Sequence, residues 1–367
     1  MVNQLVAENL KHRPVRTLLS IVAIGIEVVL ILTLVGLSRG MIDEAQRRAR
    51  GVGADIWVRP PGTSVLSLSG ASMPEKMIAY FASQPHVVVA TGSIVQSAGT
   101  GLDNVQGIQI EHFEKMSGGF RYLEGGPFAG SEDLIVDERY ASQNKLKVGS
   151  RWKVINREWR VGGIVEPGKL TRLFLPMNLV QDLTGNTGKI SQIFIKLDDS
   201  KNTAEVVAAF KANPQLAGYG IFSIDEYTSL WSIDNLPAIK PFIFIVIFIA
   251  VTVGFIVVFL SMYTAVLERT REIGVLKSLG AQPGYILGIL LREAGVLGLL
   301  GAVLGVIFSF GTRMLVARFA GAMLVQHIVP DWWPYTTALA VGGAMLGTLY
   351  PAWKAVRQDT LEALSYD

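Results

Sequence analysis

The sequence predicts an integral membrane protein of α-helical class, with four transmembrane helices and an α+β extracytoplasmic domain inserted between the first and second helices. Half of the 367 residues are hydrophobic, well above the usual balance of a soluble chain. The surplus is gathered into four stretches, each close to the roughly 20 apolar residues that cross a bilayer core of about 30 Å. Between the first two lies a long interval with the alternating runs and turn signals of a folded domain, not of a linker.

The four stretches are Thr17 to Ser38, Pro241 to Met262, Ala294 to Thr312 and Tyr335 to Trp353. They divide the chain into an N-terminal segment 1–16, spans at 17–38, 241–262, 285–312 and 335–353, a domain 39–240, a connector 263–284, a loop 313–334 and a tail 354–367. The second stretch, PFIFIVIFIAVTVGFIVVFLSM, carries no charge, and a soluble core helix is seldom apolar on every face for so long. Basic Lys11, Arg13 and Arg16 ahead of the first stretch suggest a secretory signal. That stretch is too long for one, and SRGMIDEAQRRAR behind it offers no small-residue cleavage site, so a retained anchor is expected.

Both sides of the spans are well supplied with Lys and Arg. One set comprises Lys11, Arg13, Arg16, Arg269, Arg271, Lys277, Arg292, Lys354 and Arg357; the other comprises Arg39, Arg47, Arg48, Arg50, Lys240, Arg313 and Arg318. Placing the first set inside puts both termini in the cytoplasm of a multi-pass inner (plasma) membrane protein and domain 39–240 outside, as the positive-inside rule prefers. The net charge of +3 is small and its carriers lie at membrane edges, which argues against a nucleic-acid partner and for contact with membrane lipid. The absence of cysteine excludes disulfides and thiolate metal sites.

Within 39–240, β-rich runs recur: ADIWV, HVVVATGSIV, VQGIQI, DLIV, RWKVI, EWRVGGIV, ISQIFIKL and YGIFSI. Ser72 with Glu75, Asn202 with Glu205 and Ser223 with Glu226 stand at capping-box spacing for intervening helices. Asn156 and Arg157, between two runs, suggest a hairpin. GLSRGMIDEAQRRARG continues the first span as a helical stalk, and a return stalk is expected from Ile224 towards Pro237. In the later spans Gly298, Gly301, Gly305, Gly311, Gly342, Gly343 and Gly347 allow close helix approach, either within the chain or at a dimer seam.

The connector reads as an amphipathic helix. Ile273, Leu276 and Leu279 recur at helical spacing, Glu272 and Lys277 take other faces, and Gly280 supplies a stop. Such a helix can press its apolar edge into a partner groove or lie on the membrane surface. LERTREIGVLKSLGAQPGYILGILLREAGVLGLLGAVLG, from Leu267 to Gly305, resembles the MacB/FtsX-like family of ABC transporter permeases. NLKHRPVRTLLSIVAIGI, PAWKAVRQDTLEAL, and DLIVDERYASQNKLKVGSRWKV with REWRVGGIVEPG resemble the same family at its first helix, C-terminus and external core domain. GGIVEPGKLTRLFLPMNLVQDLTG is most similar to the heterocyst-type DevC exporter permeases.

The resemblance implies that the connector docks on a separate cytoplasmic ABC ATPase through Arg271, Glu272, Ile273, Gly274, Leu276, Lys277, Leu279 and Gly280. It further implies a homodimer that transmits ATP-driven motion to the external domain, with a periplasmic adaptor and a TolC-like outer-membrane channel as partners in efflux or lipid and glycolipid export. A lipoprotein-extracting permease and a signalling permease controlling a cell-wall hydrolase share the fold. A membrane enzyme is disfavoured. GNTGKIS fails the P-loop pattern at its first glycine and at the hydroxyl after Lys189, and His12, His86, His112 and His327 are scattered without metal-ligand spacing. No catalytic residue, cofactor or metal is expected.

Glu27 is an acid in mid-span, a costly position that raises a functional hypothesis by default. A proton or substrate role is one reading. A carboxyl packed inside the bundle near Thr252 or Ser309, or in a dimer seam, is the favoured one.

Overall fold

The structure is a computed structural model that describes residues 8–9, 11–63, 72–99, 103–232, 235, 239–319 and 324–357. The chain divides into two compact units, one built from Met1–Gly40, Pro237–Ala320 and Leu324–Asp367, the other from Met41–Leu236 with Gly321–Met323. Helix α1 (Pro14–Arg50) contributes residues to both. It runs past the apolar stretch with no proline, Gly36 and Gly40 remaining helical, and stops at Gly51.

The second unit is a sheet domain. Its order is β1 (Ile56–Arg59), β2 (Met73–Pro74), α2 (Met77–Ala82), β3 (Val87–Ser97), β4 (Asn104–Ile108), α3 (Ile110–Ser117) and β5 (Tyr122–Gly125). Then come β6 (Asp133–Asp137), α4 (Glu138–Asn144), β7 (Arg151–Val154), β8 (Arg157–Val165), β9 (Leu173–Pro176) and α5 (Met177–Leu183). The last elements are β10 (Lys189–Ile190), β11 (Gln192–Leu197), α6 (Thr203–Ala212), β12 (Gly220–Ser223) and α7 (Ile224–Leu230). Ten strands form one mixed sheet in the order β12-β1-β11-β3-β4-β9-β6-β8-β5, with β7 added to β8.

Helices cover both faces of this sheet, so its strands read as near-continuous apolar runs. The two-residue period still sorts them. Ile56 and Val58, Leu134 and Val136, Leu173 and Leu175, and Ile193 and Ile195 join one core with Phe81, Val180 and Phe210. Their neighbours Trp57, Ile135, Phe174 and Phe194 join the other, with Ala49, Phe113, Met116 and Tyr227. Trp57 stacks on Tyr227 at 4.1 Å and meets Phe194 edge-on at 4.7 Å, as aromatic quadrupoles prefer.

All eight expected β-runs form strands, and the structure adds β2, β5, β9 and the separate β10 at the start of ISQIFIKL. Of the three capping signals, only Ser223 caps as expected, accepting the Glu226 amide at 3.0 Å. Asn202 precedes α6, but its amide group goes to Asp198 and His86 instead. Ser72 lies before β2, and α2 starts five residues later behind Lys76. The β7–β8 turn is made by Ile155 and Asn156, at φ +50° and +57°, while Arg157 already pairs with Val154. This two-residue turn requires positive φ at both positions, and Ile155 accepts it while packing against the core. The return stalk is helical only to Leu230; residues 233–234 and 236–238 on its expected course lie outside the described set.

The first unit is helical. After α1 come α8 (Ile239–Glu268), the short α9 (Thr270–Ser278), α10 (Pro283–Phe319) and α11 (Trp333–Arg357). Among the described residues, α1, α8 and α10 are long and apolar enough to cross a membrane. The fourth expected span forms α11, a helix of 25 residues in which Thr336, Thr337, Thr348, Gly342 and Gly343 dilute the apolar content. Ile243, Ala250, Gly254, Val258, Met262 and Ala265 form the buried stripe of α8, while its phenylalanines at 244 and 248 face outward. Gly301 and Gly305 seat Ile24 and Val28 of α1: a Cβ on either glycine would come within 2.6 Å of those side chains. These glycines therefore serve packing within the chain. Gly311 and Gly342 have open space around the position of a Cβ.

Candidate coupling site

The connector folds as two helical segments joined at Arg269. Its backbone carbonyl accepts the Ile273 amide at 3.0 Å and opens α9. At the other end the Gly280 amide reaches Lys277 O at 2.9 Å and the Ala281 amide reaches Leu276 O at 3.0 Å. This is a Schellman closure, and it needs the left-handed φ of +88° that Gly280 supplies. Pro283 then starts α10 at the one position where its missing N–H costs nothing.

The expected apolar edge of α9 is not a single exposed edge. Ile273 and Gly274 are buried within the helical unit, and Leu276 and Lys277 are half-buried. Arg271 and Glu272 are exposed, and so are Val275 at 43% and Leu279 at 79%. The cause is the rotational phase set at Arg269: its side chain points inward, so Ile273, one turn on, points inward too. The outward apolar pair is Val275 and Leu279, again one turn apart. Spacing counted from Ile273 selects Leu276 and Leu279 and leaves Val275 out.

Beneath α9 lies a charge cluster that was not expected from the sequence. Glu293 of α10 has a side chain 1% exposed. Arg269 donates to its Oε2 at 3.3 Å, and Arg16 of α1 stands 3.6 Å from its Oε1. The Asn9 side-chain amide approaches Oε2 at 3.5 Å, and Arg269 also donates to the Asn9 carbonyl at 3.0 Å. Glu268, last residue of α8, pairs with Arg13 and, at 3.4 Å, with Arg16. The signal was one acid inside the apolar run LLREAGVLGLL, of the same kind as Glu27.

Glu27 is buried on α1, with its carboxylate against the bare backbone of Gly254, where any Cβ would overlap it. The expected neighbours are engaged on their own helices: Thr252 donates to Phe248 O at 2.7 Å and Ser309 to Val306 O at 2.6 Å. The near-miss phosphate motif lies in a turn between α5 and β10, with no helix N-terminus behind it to receive an anion.

In the sheet domain, the end of α1 is held on several sides. Glu44 pairs with Arg48 at 3.0 Å and with Arg139 at 3.2 Å, and Arg48 stands 3.7 Å from Asp137. Gln46 donates to the carbonyls of Thr228 and Trp231 at 3.0 and 2.7 Å. Arg50 pairs with Asp225 at 2.9 Å. Burial pushes the Asp137 carboxyl above its ordinary range, and the Tyr140 amide with Arg48, Arg172 and Arg139 does not bring it back. Asp133, at the other end of β6, goes the opposite way: burial raises it, but Arg160 and the Ala129 and Gly130 amides outweigh this and hold it low.

Membrane-length helices, a two-faced sheet domain in chain order between the first two, and a short connector helix define the class of multi-helix membrane proteins that carry an inserted sheet domain. Residues 17–213 match the MacB-like periplasmic core domain and residues 244–360 the FtsX-like permease C-terminal family. The chain belongs to the MacB/FtsX-like family of ABC transporter permeases, whose membership implies a partner ATPase.

An uncharacterized ABC transporter permease of Bacillus subtilis (strain 168), YknZ, is 27% identical over 298 residues, 76% of this chain and 71% of that protein. The macrolide export ATP-binding/permease protein MacB of Aggregatibacter actinomycetemcomitans is 25% identical over 80% of this chain. The chain spans about half, 50%, of that protein's length. The solved periplasmic region of MacB from Actinobacillus actinomycetemcomitans matches 51% of this chain and 95% of its own at 17% identity, with a TM-score of 0.39.

Proposed function

We propose that this chain is the permease subunit of an exporter in which ATP-driven motion of a separate ATPase is transmitted to the MacB-like domain outside the membrane. The observation that carries this reading is α1: one unbroken helix of 37 residues, whose first part belongs to the membrane unit and whose last turns are locked into the sheet domain by Glu44, Gln46 and Arg50. At 1.5 Å per residue such a rod is about 55 Å long, well beyond a bilayer core of about 30 Å.

On this reading α11 is a fourth span, with both termini and connector 263–284 in the cytoplasm. Trp332, Trp333 and Tyr335 at one end of α11, and Tyr350 and Trp353 with Lys354 and Arg357 at the other, are the residue types that anchor a span at its two interfaces. The permease works as a homodimer with two ATPase copies, hands its substrate to a periplasmic adaptor, and uses a TolC-like channel in efflux or lipid and glycolipid export. The name of the MacB relatives supports efflux.

The ATPase docks on α9 and its cap. Arg271 and Glu272 set register from the exposed face, Val275 and Leu279 supply the apolar contact, and Ile273, Gly274, Leu276, Lys277 and Gly280 hold the shape. Val275→Asp and Leu279→Asp, both on exposed positions, leave the fold intact and bury a charge in the docking groove. Association should weaken about 100-fold or more, equivalent to roughly 3 kcal/mol. Co-purification of the cognate ATPase with wild-type and variant permease reads this directly. Folded variants that keep both ATPase and transport, or a purified permease that hydrolyses ATP unaided, overturn the assignment.

A further inference from the structure

The coupling reading leaves open how a push on α9 reaches α1, since the covalent path from α9 leads directly to α8 and α10. The charge cluster supplies the missing link. Arg269 is at once the residue where α8 ends and α9 begins and the donor to Glu293 at 3.3 Å. Glu293 is the residue by which α10 enters the cluster, and its other oxygen faces Arg16 of α1. Arg16 and Arg13 bind Glu268 on the last turn of α8. Four helices are thus tied at one point by two carboxylates and three guanidiniums.

The chemistry suits a joint that must not slip. A carboxylate this deeply buried is tolerable only while paired, so releasing either arginine strands a buried charge. Guanidiniums offer several donors in a fixed plane and stay charged at any physiological pH, so a partner can be held on each side of one carboxylate without titrating away. Asn9, whose carbonyl takes a second donor of Arg269 at 3.0 Å, fixes the plane of that guanidinium.

We propose that Glu293, with Arg16 and Arg269, is the pivot that makes α9 and the base of α1 move as one body. Glu293 is a positioning residue: it touches neither ATPase nor substrate. The proposal deepens the coupling reading and rests on it for its direction of travel, though not for the rigidity it predicts.

The chain contains no cysteine, so a pair introduced at Val15, 71% exposed on α1, and at exposed Ser278 on α9 reports their separation through spin labels. In the permease alone the distance distribution should be narrow. With the cognate ATPase bound it should stay narrow and unshifted on addition of ATP. Glu293→Gln keeps the size and removes the charge; it should broaden the distribution and, with ATPase bound, create an ATP-dependent shift, because α9 then moves without α1. Arg16→Gln, at the more accessible end of the cluster, should do the same and serves if Glu293→Gln does not fold. Narrow distributions that stay unshifted by ATP in the folded variants overturn the pivot. The measurement without ATPase does not depend on docking, so failure of the pivot and failure of α9 as a docking helix give separate results.

Discussion

The two units of this chain solve the packing problem in opposite ways. In the sheet domain the large side chains are inside: Trp159, Phe81, Phe113, Phe174 and Phe194 are among the most completely buried in the protein. In the helical unit the phenylalanines at 242, 244, 248, 308 and 310 face out, and the buried stripes of α8 and α10 combine glycine and alanine with aliphatic side chains. The difference follows from the solvent. Water drives phenylalanine inward, whereas lipid tails are as apolar as a core and leave close van der Waals contact between small residues as the main attraction between helices. A large aromatic residue is therefore a structural support in one unit and a surface residue in the other.

The largest effect that could break this contrast comes from removing an aromatic in each unit. Trp159→Ala should destabilise the sheet domain by about 3–5 kcal/mol, through lost transfer energy and the cavity left behind. Phe248→Ala, at a position 72% exposed on α8, should leave the folded fraction of the detergent-purified protein nearly unchanged. Thermal unfolding of the two variants decides it; comparable losses would mean that Phe248 is covered in the assembled protein, as by a second copy.

A smaller effect sharpens the contrast from the other side, by adding bulk. Gly305→Leu must push Val28 and the Gly25 carbonyl away, since even a Cβ comes within 2.6 and 2.8 Å of them. It should cost about 1–3 kcal/mol, the usual range for overpacking. Gly342→Leu enters open space and should be nearly neutral. Yield and melting temperature of monodisperse protein after extraction compare them.

The smallest effect concerns charge within the sheet domain, where Asp133 and Asp137 occupy the two ends of β6. The Asp133 carboxyl is held below its ordinary value near 3.8, so its contribution is present above that value and fades as pH falls through the lower folded value. Asp133→Asn should therefore cost about 1–2 kcal/mol at neutral pH, the scale of a charge-assisted hydrogen bond, and progressively less below pH 4. The Asp137 carboxyl is raised, so its contribution has the opposite sign: it is full below the ordinary value and lost as pH rises through the folded one. Asp137→Asn, which can still cap α4 in place of the present bond to the Tyr140 amide at 2.7 Å, should be tolerated at neutral pH. Tryptophan-monitored melts of both variants from about pH 3.5 to about pH 7, a range that takes in the ordinary aspartate value, would expose an equal response, contrary to this expectation.

The same contrast explains what could be read from the sequence. Strands buried on both faces announce themselves as apolar runs, and three of the four expected spans announce themselves by length and composition, so these were legible. β9, LFLP, is short and ends in proline; β5, YLEG, is an exposed edge whose polar residues look like loop. β2 is two residues paired to β10 and has no pattern of its own. At the connector, residue types and the Gly280 stop were legible, but the phase of α9 was not. It depends on where Arg269 points, and that depends on Glu293, far enough along the chain that no local spacing links them. Periodicity ranks faces relative to one another; it does not say which face a distant carboxylate will claim.

The clamp at the end of α1 also sets a timetable for synthesis. Gln46 meets Trp231, a partner 185 residues further along the chain. At about 5–20 residues per second, the ribosome delivers that partner roughly 9 to 37 s after Gln46. β1 waits almost as long, because Ile56 pairs with Ile195 on one side and Ser223 on the other. Until then Glu44, Arg48 and Arg50 lack their distant partners, and β1 presents two open edges of the kind that pair with the wrong strand. The nascent domain closes in one late step, and throughout that interval its first strand is the segment that most needs a chaperone's cover.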